Sequence, residues 1–152
     1  MSQAAPFSLP DQTGQTHTLE QYNGKWLVLY FYPKDDTPGC TREACDFRDN
    51  IGKLSELGAE VIGISADTSA SHEKFQSKYG LNFPLLADEG NVISRAYGAY
   101  GTKNLYGKIS EGIIRQTFLI DPKGEIVKHW KRVSVDGHVT AVEKELKAAQ
   151  AK

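Results

Sequence analysis

Seven consecutive apolar residues, Trp26-Leu27-Val28-Leu29-Tyr30-Phe31-Tyr32, constrain the fold of this chain more than any other feature. Alternating apolarity would mark a strand with one wet face. Unbroken apolarity over so short a run marks a strand buried on both faces, as in a parallel sheet covered from both sides. Val61-Ile62-Gly63-Ile64-Ser65 repeats the pattern. Between the two, Ala44, Phe47, Ile51, Leu54 and Leu57 recur at helical spacing, so residues 40–57 are predicted as a helix stopped by Gly58. The chain therefore alternates strand and helix through its first half.

The same reading extends along the remainder. Residues 7–9 and 15–19 are expected to form a small antiparallel ribbon around Pro10, Asp11 and Gly14. Residues 71–79 and 91–97 read as helices, the first closed by Gly80, and 84–87 as a short strand. Residues 98–112, rich in Gly and Tyr, read as a loop. Residues 115–120 and 125–130 are predicted to pair as a hairpin across Asp121-Pro122-Lys123-Gly124, and 138–149 to close the chain as a helix. The expected fold is an α/β sandwich: a central mixed β-sheet flanked by helices, with an N-terminal β-hairpin, in a single domain over 1–152.

Bulk composition narrows the function classes. Eighteen basic side chains nearly balance nineteen acidic ones, for a formal charge of −1, which gives no electrostatic reason to expect nucleic acid or an anionic membrane as partner. The longest apolar run is too short to span a bilayer. Residues 1–6 show neither a basic region nor an apolar stretch, so no signal peptide is expected and the expected address is cytoplasmic. In that reducing compartment a lasting structural disulfide between the two cysteines would be unusual, whereas a transient redox pair would not.

The two cysteines lie in Pro33-Lys34-Asp35-Asp36-Thr37-Pro38-Gly39-Cys40-Thr41-Arg42-Glu43-Ala44-Cys45. A buried strand delivers the chain to a rigid loop, and the loop hands Cys40 to the first turn of a helix. Free N–H groups and the positive end of the helix dipole favour an anion there, hence a thiolate. The gain is bounded. An ordinary thiol, with a pKa of about 8.5, is about 3% ionised at pH 7, so full ionisation gains roughly 30-fold. Fast chemistry at such a thiolate needs further groups that bind the charge developing in the transition state: the Thr37 hydroxyl, the N–H groups around Gly39 and Cys40, and a cation from elsewhere.

Cys40 and Cys45 are five positions apart, a rise of about 7.5 Å and a rotation near ~140° along a helix. A disulfide needs Cα atoms roughly 4.4–6.8 Å apart. Any bond between them therefore requires the first turns to unwind. From the residues alone, two ordinary buried cysteines remain the competing reading, weakened by the Pro38-Gly39 step directly before Cys40. A metal site is not expected: two cysteines without a neighbouring histidine fall short of a ligand set, and His17, His72, His129 and His138 are scattered.

The segment resembles a peroxiredoxin. Pro33, Thr37 and Cys40 match that family's P-x-x-x-T-x-x-C signature, and residues 31–45 resemble its peroxiredoxin Q branch. Further matches are residues 7–11, 61–65, 83–88 and 115–121, so the resemblance covers nearly the whole chain. It implies a thioredoxin-like fold and a peroxidase that needs no cofactor. Hydrogen peroxide and alkyl hydroperoxides are the implied substrates, and thioredoxin or a similar dithiol protein the implied reductant. Cys40 is then the peroxidatic residue and Cys45 the resolving one. Pro33 shields the thiolate, Thr37 hydrogen-bonds the peroxide, and Arg115 is the cation. A monomer is expected, with a small dimer as the alternative.

Several residues keep two readings. Glu43 either orients Arg115 or is a helix-surface carboxylate. Thr41 is expected to cap the helix. Tyr97, Tyr100 and Tyr106 either line an entrance or pack within a loop, with packing favoured. Trp26 and Trp130 read as core or sheet-edge residues, and the histidines show no role. Two other function classes stay in view: a redox sensor that passes a disulfide to a partner, and a thiol-based holdase.

Overall fold

The computed structural model describes residues 2–105 and 107–152. The unbroken apolar run forms β4 (Trp26–Phe31), the fourth strand of a six-stranded sheet. Before it come β1 (Ser2–Gln3), the ribbon of β2 (Ser8–Pro10) and β3 (Thr16–Thr18), and a 3₁₀ turn over Leu19–Tyr22. After it follow α1 (Pro38–Glu56), β5 (Ala59–Ser65), α2 (Ser69–Tyr79), β6 (Leu85–Ala87) and α3 (Val92–Ala96). The chain ends with β7 (Tyr100–Leu105), β8 (Lys108–Ile113), β9 (Gln116–Ile120), β10 (Glu125–Trp130) and α4 (His138–Gln150).

The sheet order is β1-β10-β9-β4-β5-β6. β4, β5 and β6 run parallel, while β9 lies antiparallel to β4 and β10 antiparallel to β9. This is the mixed sheet that the pattern predicts, and it is the thioredoxin-like arrangement. The unbroken apolarity of β4 has its expected cause. Val28 and Tyr30 enter a core with Phe47 and Leu54 of α1, Phe75 of α2 and Val142 and Leu146 of α4. Leu27, Leu29 and Phe31 enter a second core on the opposite face, with Ile62, Ile64, Phe118, Phe7 and Tyr97. From Leu27 to Phe31 each strand residue is thus buried on one side or the other, and none is free to be polar.

Three expectations need correction. The segment 98–112 is not a loop: β7 and β8 pair antiparallel from Tyr100–Ile113 to Leu105–Lys108. Most of this ribbon is exposed or half-buried, so it lacks the apolar alternation that would have marked it. The helix begins two residues earlier than read, at Pro38, whose fixed φ and missing N–H suit the first helical position. Thr41 is accordingly inside the first turn, its N–H donating to the Thr37 carbonyl at 2.8 Å, and the N-cap residue is Thr37. Among the described residues, no helix is long and apolar enough to cross a membrane.

Candidate active site

β4 ends against the loop 32–37, and the loop is anchored from beneath. Tyr32 donates its hydroxyl to Asp35 at 2.6 Å, Ser71 donates to the other carboxylate oxygen at 2.8 Å, and His72 Nδ1 lies 2.7 Å from that same oxygen. His72 Nε2 meets the Leu86 carbonyl at 2.9 Å. Asp67 accepts from the Asp35 N–H at 2.8 Å and from the Ser65 hydroxyl at 2.6 Å. Asp35, Asp67 and His72 bring potential metal-ligand atoms within 4.8 Å of one another, but these atoms are spent on hydrogen bonds that fix the loop. The loop then turns through Asp36, at φ 56°, held by Lys78 at 2.8 Å and the Tyr79 hydroxyl at 2.7 Å.

This anchoring sets the first turn of α1. Thr37 is extended (φ −100°, ψ 156°), and its hydroxyl donates to the Lys34 carbonyl at 2.9 Å instead of capping the helix. Its proton is therefore committed, and its lone pairs remain to accept. Cys40 stands at the third helical position, where the backbone N–H has no intrahelical acceptor. Its side chain is 1% exposed, a free thiol at the floor of the turn. Pro33 is half-buried in the loop that follows β4.

Arg115 arrives from the link between β8 and β9. One amino group lies 3.2 Å from Cys40 Sγ and the other 2.5 Å from Glu43 Oε1. Glu43 is fully buried and is no surface carboxylate, so of its two readings the orienting one is realised. Burial pushes the Glu43 carboxyl up to about 7, against the pull of the Arg115 charge and hydrogen bond. Burial also works against the Arg115 charge. Glu43 and Cys40 outweigh it, and the guanidinium is held above its ordinary value. Glu43 Oε2 and the Tyr30 hydroxyl are the buried side-chain atoms without hydrogen-bond partners among the described residues. Burial, then the charges of Glu43 and Cys40, hold Tyr30 well above the ordinary phenol range, so it stays neutral.

Cys45 sits one and a half turns further along α1, half-buried and free. With both cysteines on one regular helix, their Cα atoms are about 8.6 Å apart, outside disulfide range. The structure thus brings Arg115 onto Cys40, with Thr37 at the N-cap of the same turn and Pro33 in the loop before it, and keeps Cys45 apart.

Other expectations resolve into packing. Tyr97 is core, its hydroxyl donating to the Ala5 carbonyl at 2.5 Å, and Tyr100 lies under the Arg95 guanidinium at 4.3 Å. Tyr106 lies outside the described residues. Trp26 and Trp130 pack partly buried against the first core, as expected. The histidines do have roles, all structural: besides His72, His17 pairs with Asp11 at 2.7 Å, His129 with Gln116 at 2.7 Å and His138 with Thr117 at 2.8 Å. Sequence reading missed Glu43's burial. The signal for Glu43 was present: it lies three positions after Cys40 and four before Phe47, on the apolar face.

A free thiol on the first turn of a helix, beside an ion-paired guanidinium, on a thioredoxin-type sheet defines the class: a thiol peroxidase. Residues 1–129 match the AhpC/TSA family. The chain is 45% identical over 148 residues to peroxiredoxin Bcp of Bacillus subtilis, covering 97% of this chain and 94% of the relative. It is 46% identical over 147 residues to peroxiredoxin Bcp of Xanthomonas campestris, covering 95% and 92%. The solved structure of the Xanthomonas campestris bacterioferritin comigratory protein superposes with a TM-score of 0.89 at 43% identity, covering 94% of this chain and 91% of that one. This chain belongs to the AhpC/TSA family, in its peroxiredoxin Q/Bcp branch.

Proposed function

We propose that Cys40 is the peroxidatic thiol and Cys45 the resolving one, in a cycle recycled by thioredoxin or a similar dithiol protein. The observation that carries this reading is the double contact of Arg115, 3.2 Å from Cys40 Sγ and 2.5 Å from Glu43. A cation so placed faces the charge that develops on the peroxide as its O–O bond breaks. The Thr37 hydroxyl, its proton committed to Lys34, accepts the peroxide O–H and aligns it. Pro33 covers the thiolate from the loop side.

In the first step Cys40 sulfur attacks the nearer peroxide oxygen. The S–O bond forms as the O–O bond breaks, and the electron pair leaves on the far oxygen, which takes a proton as water or alcohol. Cys40 is oxidised to its sulfenic acid and the peroxide reduced. The first turns of α1 then unwind, Cys45 sulfur displaces the sulfenic oxygen as water, and a Cys40–Cys45 disulfide results. The external dithiol returns both thiols. Hydrogen peroxide and alkyl hydroperoxides are the substrates in this reading; the Xanthomonas campestris relative is described by its alkyl peroxide reduction activity. The protein acts as a monomer in the cytoplasm.

Turnover with thioredoxin, thioredoxin reductase and NADPH tests the cycle. Many equivalents of peroxide consumed per protein are expected. Consumption that stops after one equivalent would contradict it and favour a sensor that stores its disulfide.

A further inference from the structure

One residue of α2 holds the two-cysteine segment at both ends. Asp36, just before the N-cap of α1, accepts from the Tyr79 hydroxyl at 2.7 Å and from Lys78 Nζ at 2.8 Å. Arg48, three positions beyond Cys45, donates through Nη1 to the main-chain carbonyl of the same Tyr79 at 2.6 Å. Tyr79 ends α2, so this carbonyl is one of the last four, which lack an intrahelical partner. A guanidinium suits it, because it also meets the negative end of the helix dipole. Asn82 donates to the Arg48 carbonyl at 3.4 Å, so Arg48 is tied through its main chain as well. The Tyr79 ring is fixed in turn by packing edge-on against buried Phe75, with 5.6 Å between centroids.

Between the two holds lie Cys40 and Cys45, and a bond between them requires the first turns of α1 to unwind. Beyond them the helix is anchored in the core: Phe47 stacks on Tyr30 at 4.8 Å, and Leu54 is fully buried. The stretch free to unwind therefore runs from 37 to 46. The hold at Asp36 opposes that unwinding by either of two routes. Where the Tyr79–Asp36 bond breaks, its energy is lost. Where it survives, the freed stretch is a loop with both ends fixed and fewer conformations open to it. Removing the hydroxyl favours the unwound form in both cases, so the sign of its effect is set.

We propose that Tyr79 is a positioning residue for the resolving step: holding Asp36 by its hydroxyl and Arg48 by its carbonyl, it keeps the Cys40–Cys45 segment helical and sets how long the Cys40 sulfenic acid waits for Cys45. The inference rests on the reading of Cys40 and Cys45 as the peroxidatic and resolving thiols. At closure the S–S bond forms as the Cys40 S–O bond breaks, and the oxygen leaves as water with the proton of the Cys45 thiol. The wait has a chemical consequence, because a second peroxide oxidises a sulfenic acid that is still open to sulfinic acid.

The test compares the wild type with Tyr79→Phe, which keeps the ring and the carbonyl and removes only the bond to Asp36. The readouts are amide hydrogen exchange of the reduced protein, the stopped-flow rate of disulfide closure after one equivalent of hydrogen peroxide, and the peroxide concentration at which half of Cys40 becomes sulfinic acid by peptide mass. Tyr79→Phe is expected to speed both exchange over 37–46 and closure by about 5-fold, and to need about 5-fold more peroxide for half overoxidation. First oxidation should stay within about 3-fold of wild type, since Tyr32, Ser71 and His72 still hold Asp35. Arg48→Met, which removes the other hold, is expected to move closure and overoxidation in the same direction. Closure and overoxidation at wild-type values in Tyr79→Phe would overturn the inference while leaving the peroxidase reading intact. So would exchange that rises equally throughout α1 and α2, the mark of a general loss of stability. A wild-type protein that forms no Cys40–Cys45 disulfide would overturn both.

Discussion

Gly39 and Arg115 are packed so closely that a Cβ on Gly39 would stand 3.1 Å from Arg115 Nη2 and 3.9 Å from its Cζ. The guanidinium lies against the bare backbone of the first helical turn, and this is how it reaches Cys40 while still holding Glu43. The loop, the glycine and the cation therefore form one fitted unit. Gly39→Ala should displace the Arg115 tip by a few tenths of an ångström and slow the first oxidation by about 10-fold, with folding stability changed by less than about 1 kcal/mol. Stopped-flow oxidation beside urea unfolding measures both.

Arg115→Ala should lose far more rate than the roughly 30-fold that ionisation of a thiol can explain. The second-order rate constant for hydrogen peroxide reads this. A loss below that limit would move the binding of the developing charge to Thr37 and the backbone.

Glu43 links activity to pH-dependent stability. Its carboxyl rises from 4.5 to about 7 on folding. The folded protein therefore holds a proton that the unfolded chain releases between these values, and stability falls as pH rises through that window. Glu43→Gln removes the titration. The wild type should lose roughly 1–3 kcal/mol more than the Gln variant on going from pH 4.5 to pH 8, measured by urea unfolding. The same variant weakens the hold on Arg115 and should oxidise more slowly.

Gly63→Ala tests the packing behind the site. An added Cβ would meet Tyr30 Cζ at 2.9 Å, its hydroxyl oxygen at 3.0 Å and Leu85 Cδ2 at 3.1 Å. All three are in the fully buried core, where Tyr30 also stacks on Phe47 at 4.8 Å. The substitution should destabilise by about 1–3 kcal/mol, read as a lower urea midpoint.

What could be read from sequence follows from which forces act locally. β4 was legible because burial on both faces leaves an unbroken apolar run, and α1 because Ala44, Phe47 and Leu54 mark one face. The Pro38-Gly39 step singled out Cys40, although the helix starts at Pro38, two residues before the expected start. Arg115 was different: nothing near it in sequence distinguishes it from an exposed strand-end charge, and the family resemblance alone singled it out. The Tyr32–Asp35–His72 anchor was invisible because its partners are brought together only when α2 docks beside β6. The β7–β8 ribbon was hidden because its glycines and exposed polar residues give no strand period.

The most direct test of the central claim is the intact mass of the reduced protein before and after one equivalent of hydrogen peroxide, with free thiols alkylated. The expected result is a loss of two hydrogens, no alkylatable thiol, and a peptide joining Cys40 to Cys45. A protein that gains no oxygen and keeps both thiols alkylatable would contradict the account and leave Cys40 and Cys45 as two ordinary cysteines of a helix.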